Sequence, residues 1–317
     1  MRALITGVAG QDGTLLSELL LNEGWEVLGT RLPSEQLHRT HALDLAQTVE
    51  MDIADFDEVR SVVCSIAPDV IFHLAGISSV GFSFEHPELT HKVNVGGIKN
   101  LLDAIGSGTA SGTHLINAAS TEIFAESSVP ITELSPLGPR SPYAESKAAS
   151  VGLIQDSRKA GIKATNAILA NHESYLRTND FVTGKIANEV ARISLGLSDH
   201  IQLGNVDVEK NWSSAKDIVA GLSQIAKKKF IGDVILASSN STKLTEILES
   251  AFGYIGISNW QPYVRTDAAL ARSQEIKVIK IDPSLARKEL DWEASTPLND
   301  WVGEMVSYQI QQISNPL

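Results

Sequence analysis

Short apolar runs alternate with stretches of helical hydrophobic spacing through the first half of the chain. Ala3, Leu4 and Ile5 predict a buried strand over Arg2 to Thr6, followed by a glycine turn and a helix whose Leu15, Leu16, Leu19 and Leu20 recur at helical spacing before Gly24. Glu26 to Thr30 reads as the next strand and Val49 to Asp52 as another, and Asp55 is suited to cap a helix that runs to Ile66. Asp69 to His73 resumes a strand, His86 to Ile105 a helix, and His114 to Ala118 a strand after the link at Gly106 to Gly112. A further helix ends near Lys159, and Ala164 to Ala170 is the next strand. This alternation predicts an α/β fold built on a parallel sheet.

Beyond Asn171 the alternation weakens. Ile186 to Leu195, Ala215 to Lys227 and Leu244 to Gly253 keep helical spacing, and Asp233 to Ala237 reads as a strand, a pattern that fits a smaller lobe laid against the sheet. The expected division is residues 1–170 for a dinucleotide-binding domain and 171–317 mainly for a substrate lobe, with segments that can return to the first domain. Gln311 to Leu317 are expected to fray.

Composition narrows the function classes. With 43% hydrophobic and 20% charged residues, the 317-residue chain is neither disordered nor fibrous. A formal net charge of -12 opposes nonspecific binding to nucleic acid, although a few local cations can still hold a nucleotide. No apolar run reaches the ~20 positions of a membrane span, and the N-terminus passes directly into a strand without a targeting pattern. The expectation is a soluble, cytoplasmic enzyme with no membrane partner. Cys64, the one cysteine, sits beside Val62, Val63 and Ile66, which suggests a buried helix face. The eight histidines are dispersed and no His-Glu-x-x-His pattern occurs, so no metal centre is expected.

Two groups carry the candidate chemistry. In Gly7-Val-Ala-Gly10-Gln11-Asp12-Gly13, missing side chains between strand and helix allow a pyrophosphate to approach the helix N-terminus; a plain structural turn is the alternative. At the end of the second strand, Arg31 stands where an acidic residue would favour NAD, and it can instead bind the 2'-phosphate of NADP or remain a solvated loop arginine. Asp52 and Ile53 can hold the adenine edge, and Leu74, Ala75 and Gly76 can line the cofactor path, or each can be strand-end packing.

Tyr143 and Lys147 lie four residues apart and so share one helix face, where a neighbouring ammonium and a nicotinamide cation would favour the phenolate. Ser120, at a strand end, can bond the same substrate oxygen. Glu122 follows by two positions and falls on the same side if the extended backbone continues; a carboxylate there can remove a proton beside a newly formed ketone, or it can cap the following loop.

These motifs resemble the extended short-chain dehydrogenase/reductase family, through Thr6-Gly7-Val-Ala-Gly10-Gln-Asp-Gly13, His73-Leu-Ala-Gly76, Ser120 and Tyr143-x-x-x-Lys147. Within it the likeness is to the GDP-mannose 4,6-dehydratases, in Ser83-Phe-Glu-His-Pro-Glu88, Arg140-Ser-Pro-Tyr143, Asn171-His-Glu-Ser174, Phe181-Val-Thr-Gly-Lys185 and Leu203-Gly-Asn205. The resemblance implies a Rossmann-type doubly wound sheet with a smaller C-terminal substrate-binding lobe, NADP as cofactor with NAD as the alternative, and a GDP-linked sugar substrate. It implies C4 oxidation assisted by Tyr143, Lys147 and Ser120, C5 deprotonation by Glu122, and a homodimer, with a tetramer as the alternative. It also makes Asn171, Lys185, Arg192, Asn205, Lys210 and Arg265 candidates for contacts with the nucleotide sugar. The chain departs from the pattern where Gly184 stands for an arginine, Lys210-Asn211-Trp212 for Arg-Asp-Trp, and Phe124-Ala125 for an aromatic-glycine pair.

Overall fold

A computed structural model describes residues 1–37, 47–108, 110–267 and 279–315. Seven strands form one parallel sheet: β1 (Arg2–Thr6), β2 (Glu26–Arg31), β3 (Gln47–Glu50), β4 (Val70–His73), β5 (His114–Ser120), β6 (Ala164–Leu169) and, far along the chain, Asp233–Leu236 at the edge beyond β6. The spatial order runs from that late strand through β6, β5, β4, β1 and β2 to β3. The order reverses at β1, between β2 and β4, and such a reversal opens a crevice at the strand C-terminal ends.

Strand alternation assigns the two faces. Ala3, Ile5, Val70, Phe72 and Ile116 point into one buried cluster, whereas Leu4, Ile71 and Leu115 point into the other. Helix α1 (Gln11–Asn22) covers the first face with Leu15, Leu16 and Leu20. On the second lie α2 (Phe56–Ile66), capped by Asp55, and the long α4 (Pro87–Gly106), which follows the short α3 (Val80–Glu85). Packed beside α4 is α5 (Pro142–Lys159), the helix of Tyr143 and Lys147.

After β6 come β7 (Asn171–Glu173), α6 (Val182–Ser194), β8 (Ile201–Leu203), β9 (Glu209–Lys210), β10 (Trp212–Ser214) and α7 (Ala215–Lys228). The edge strand Asp233–Leu236 is β11; then follow β12 (Thr242–Lys243), α8 (Leu244–Tyr254), β13 (Val264–Thr266), α9 (Ser284–Leu290) and α10 (Leu298–Ser314). Helices α7 and α9 join α1 over the first sheet face through Ile218, Leu222, Ala286 and Leu290. A separate cluster unites α6, α8 and α10 through Ile186, Val190, Leu248, Phe252, Trp301 and Met305. The residues after 170 thus build the lobe and also finish the sheet.

Three local expectations change. The third strand lies two residues earlier than Val49 to Asp52, because Asp52 leaves the ladder: its carboxylate accepts from Ala54 N and its own N–H donates to Glu58. Cys64 is half-buried, since the fully buried stripe of α2 is Val59 and Val63. The expected fraying from Gln311 stops short, because α10 continues to Ser314 on the anchorage of Trp301, Val302, Met305 and Val306; residues 316–317 lie outside the described residues.

Candidate active site

The turn after β1 has its shape forced from within. Gly7 adopts φ +74°, and a Cβ there would stand 2.8 Å from the Ala75 backbone; a Cβ on Gly13 would stand 2.3 Å from Gly7 O. Gly10 is different: it is exposed, and the nearest atom to its ideal Cβ is Gly7 O at 3.4 Å. The protein itself leaves room for a side chain at Gly10, so the bare Cα keeps the outer surface of the turn open. Gly10 caps α1 without a side-chain hydrogen bond, which leaves first-turn N–H groups facing outward.

The candidates around the turn divide. Leu74 N and Ala75 N donate to Thr6 Oγ1, bringing the chain after β4 against the glycine turn, and exposed Gly76 adjoins Lys147. Ile53 is buried against Gly97 of α4, and its carbonyl accepts from Asn100, which is strand-end packing. Arg31 stands at the end of β2 with its guanidinium 3.2 Å from the Glu50 carboxylate and hydrogen-bonded to the carbonyls of Leu32 and Glu35.

Ser120, Glu122, Tyr143 and Lys147 converge. Tyr143 hydrogen-bonds Ser120 and senses the charge of Glu122; Lys147 Nζ donates to Ala118 O at 2.8 Å and lies 6.0 Å from the Tyr143 ring centre. Glu122 arrives by a different route from the one expected: β5 ends at Ser120 and the backbone turns into a 3-10 helix over Thr121–Ile123, with Ser120 Oγ accepting from Glu122 N. The extended alternation that would have placed Glu122 beside Ser120 therefore does not continue. The turn still brings its carboxylate within electrostatic reach of Tyr143.

The protein's own groups favour the protonated phenol at Tyr143. Burial pushes Tyr143 up to about 12 despite the Ser120 hydrogen bond, and burial lowers Lys147 to about 8 while the Asp12 carboxylate pulls it back up. The Lys147 ammonium is spent on the Ala118 carbonyl and does not by itself offset the burial of Tyr143. Three residues outside the sequence candidates set Tyr143 in place: Ser83 Oγ accepts from Tyr143 N, Ser146 Oγ donates to Tyr143 O, and Asn94 Nδ2 donates to Ser146. Ser83 belongs to a motif visible in the sequence, but only the buried contact between α3 and α5 shows its task.

The start of α1 is tied to β7 by a polar cluster. His172 Nε2 meets Asp12 Oδ2 at 2.8 Å, its Nδ1 lies 2.7 Å from Ala170 O, Ser174 Oγ donates to Gln11, and Gln11 Nε2 donates to His172 O. Burial works to raise the Asp12 carboxyl, but the charge and hydrogen bond of His172 hold it below the ordinary range. Burial likewise works against protonated His172, yet the Asp12 carboxylate and hydrogen bond raise it above the ordinary histidine value. The imidazolium also cancels a negative charge at a helix end otherwise suited to an anion.

The stability sign follows from these shifts. Asp12, being depressed, contributes above the ordinary carboxyl value of 3.8 and loses that contribution as pH falls through its folded value. His172, being raised, contributes below the ordinary 6.5 and loses it as pH rises through its folded value. Unfolding measured against pH should therefore show His172→Gln losing about 3–5 kcal/mol near pH 5 and less at pH 9. A loss equal at both pH values would exclude the charged pair.

The remaining sequence candidates are not drawn into this cluster by the described contacts. Asn171 opens β7 and pairs with Trp212; Lys185 is half-buried on α6, where Arg192 lies 3.6 Å from Glu189 and donates to Leu197 O. Asn205 Oδ1 accepts from Asp207 N, Lys210 is buried on β9, and Arg265 is exposed on β13 opposite Gln202. Asn211 braces the lobe by donating to Ser238 O and Asn240 O and accepting from Ser238 N. Gly184 admits no side chain: its Cβ would stand 2.2 Å from Thr178 O. Among the described residues no group of His, Cys, Asp or Glu is arranged to hold a metal ion, and no helix is long and apolar enough to cross a membrane.

The family model described as GDP-mannose 4,6 dehydratase matches residues 4–305. GDP-mannose 4,6 dehydratase 1 of Arabidopsis thaliana is 33% identical, covering 98% of this chain and 90% of that protein. Among solved structures, RMD from Pseudomonas aeruginosa complexed with NADPH superposes with a TM-score of 0.84 at 22% identity, over 98% of this chain and 99% of the other. dTDP-glucose 4,6-dehydratase from Bacillus anthracis, solved with NAD, gives a TM-score of 0.84 at 17% identity over 99% and 97% of the two chains.

Proposed function

This chain belongs to the GDP-mannose 4,6 dehydratase family, and from that premise we propose that it converts GDP-mannose to GDP-4-keto-6-deoxymannose. The observation that carries the reading is the convergence of a second base, Glu122, with Ser120, Tyr143 and Lys147. A plain oxidoreductase requires no carboxylate beside its tyrosine.

The residues of the turn fit a dinucleotide: Gly10 offers an open Cα surface, the first turn of α1 offers N–H groups, and His172 neutralises Asp12. Gly7, Gly10, Gln11, Asp12 and Gly13 would hold the pyrophosphate end, with Ala75 and Gly76 along the path to Lys147. We assign NADP because Arg31 closes β2 with a cation; holding a 2'-phosphate requires that guanidinium to exchange Glu50 for the phosphate. A bound nicotinamide dinucleotide would supply the hydride acceptor for sugar C4 and the donor for C6, so none would be consumed. Tyr143 accepts the C4 hydroxyl proton while Ser120 orients that oxygen. Glu122 then takes the C5 proton, whose acidity the C4 ketone raises, and passes it to the C6 hydroxyl, which leaves as water with formation of the C5–C6 double bond. Hydride addition at C6 is completed by a solvent-exchanged proton at C5, and the proton held by Tyr143 returns to solvent. Lys185, Arg192, Lys210 and Arg265 are proposed cations for the diphosphate, with Asn171 and Asn205 as polar contacts. The side-by-side α4 and α5 are the proposed homodimer face.

The test is incubation with GDP-mannose and catalytic NADP or NAD, followed by mass analysis. Loss of one water with unchanged cofactor absorbance is expected, faster with NADP. An isomer of unchanged mass would replace the reading with epimerisation; stoichiometric NADPH oxidation by the keto sugar, without conversion of GDP-mannose, would replace it with reduction.

A further inference from the structure

Strand β11 is buried on both sides. Val234 and Leu236 point into the cluster that includes α7, and Ile235 points into the one beside Val151 of α5. The strand therefore lacks the apolar–polar alternation by which a single buried face fixes register. Its main-chain contacts are equally blind to sequence: Ala170 N donates to Leu236 O on the inner edge, and Ile235 N donates to the Glu133 carboxylate. Size supplies one signal, the step from Leu236, fitted against Gly221 of α7, to the small Ala237.

The first residue of the strand is different. Asp233 lies opposite Asn166 of β6 with its carboxylate on the α5 side, only 16% exposed. Its Oδ1 accepts from Arg158 Nη2 and from Asn166 Nδ2, both at 2.8 Å, and its Oδ2 accepts from Gln155 Nε2 at 2.6 Å. Asn166 is fully buried; its Nδ2 also donates to Val151 O, and its Oδ1 accepts from Asn117 Nδ2, so the amide is held with its N–H edge toward β11. A slip of β11 by one residue turns Asp233 to the other sheet face, toward the apolar α7 cluster. That buries a carboxylate without partners and leaves N–H donors of Arg158 and Asn166 unpaired, whereas exchanging Val, Ile and Leu positions changes side-chain volume little.

We infer that Asp233 is a positioning residue: its contacts with Arg158 and Asn166 select the register in which β11 joins the sheet. The register is passed on into the lobe. Beyond Leu236, Ser238 donates from its N–H to Asn211 Oδ1 and accepts at its carbonyl from Asn211 Nδ2, which seats the chain between β9 and β10. A shift by one residue moves Ser238 by about 3.3 Å and removes that brace. The ion pair thus contributes uniqueness more than stability, since buried ion pairs exchanged for apolar residues of similar volume often leave stability unchanged or raised. This role is independent of the proposed reaction.

The test is methyl NMR on the full chain and needs no substrate. In the parent, Val234, Ile235 and Leu236 should each give one set of methyl signals, with Ile235 beside Ile168. Asp233→Asn, which keeps an acceptor for Arg158 and Asn166, should do the same. Asp233→Leu/Arg158→Leu replaces the ion pair by apolar side chains; it should keep Tm within about 4 °C of the parent and show a second set for the three residues at about a tenth or more of the total intensity. The side-chain amide signals of Asn211 should double in step, reporting the lost brace. Val234→Ala, which loosens packing and leaves Asp233 in place, should lower Tm and keep one set. One set in the double variant overturns the inference. So does a double variant that fails to fold while Val234→Ala folds, which would make the ion pair a source of stability. Two sets in Val234→Ala would also overturn it, because loosened packing alone would then permit the slip.

Discussion

Tyr143→Phe is expected to lower turnover by about 10^3-fold while NADP affinity stays within about twofold, a magnitude typical of losing a positioned acid–base group. The substitution removes one oxygen at the edge of a buried ring and leaves α5 held by Ser83, Ser146 and Asn94. Loss of the Ser120 hydrogen bond should cost about 1 kcal/mol, a fall in Tm of about 2–4 °C. The chemical penalty dominates because no neighbouring group has the same reach: Lys147 is bonded to Ala118 O and Glu122 is assigned to another proton. Turnover within a few-fold of the parent would remove Tyr143 from the mechanism. Since burial holds the phenol at about 12, proton uptake by Tyr143 needs the positive charge of the oxidised cofactor nearby, and binding of oxidised NADP should move its titration downward.

How far the sequence reached depends on the range of the interactions involved. Strands β1, β2 and β4 to β6 were legible because each apolar run is local and the flanking helices repeat at a clear spacing, whereas β3 holds a single apolar residue, Val49, and was placed two residues late. The glycine turn and the Tyr143–Lys147 pair were legible for the same reason. Glu122 comes within electrostatic reach of Tyr143 by a geometry other than the expected one, since nothing in Ser120-Thr121-Glu122 announces the 3-10 turn that follows β5. The short strands β7 to β10 and β12 to β13 hold two or three residues each, too few for a period to show. The Asp12–His172 contact spans 160 positions, so it exists only once β7 has come up against α1.

Glu122→Gln should separate the two halves of the reaction. The amide keeps the size of the carboxylate and cannot accept the C5 proton, so water loss should fall by about 10^2–10^4-fold. Oxidation at C4 should persist, seen as transient absorbance of reduced cofactor, while solvent deuterium no longer enters C5. Deuterium uptake at the parent rate would assign the base to another group. Because the Glu122 charge is one of the influences that raise Tyr143, the variant should also bring the phenol slightly down, which gives C4 oxidation a reason to survive.

The late arrival of β11 bears on how the protein is made. Ribosomal synthesis completes β6 at Leu169, yet the strand that covers its edge ends at Leu236, after α6 and β7 to β10 of the C-terminal lobe have been made. At ~5–20 residues per second, that edge waits for seconds with its peptide groups unpaired. A nascent chain caught in this interval is the form most open to chaperones and to misassembly with its own copies. For the same reason the C-terminal lobe cannot be exchanged between relatives by cutting once at residue 171. The transplant would carry away α7, β11 and α9, so a working chimera needs junctions on each side of both returns to the sheet.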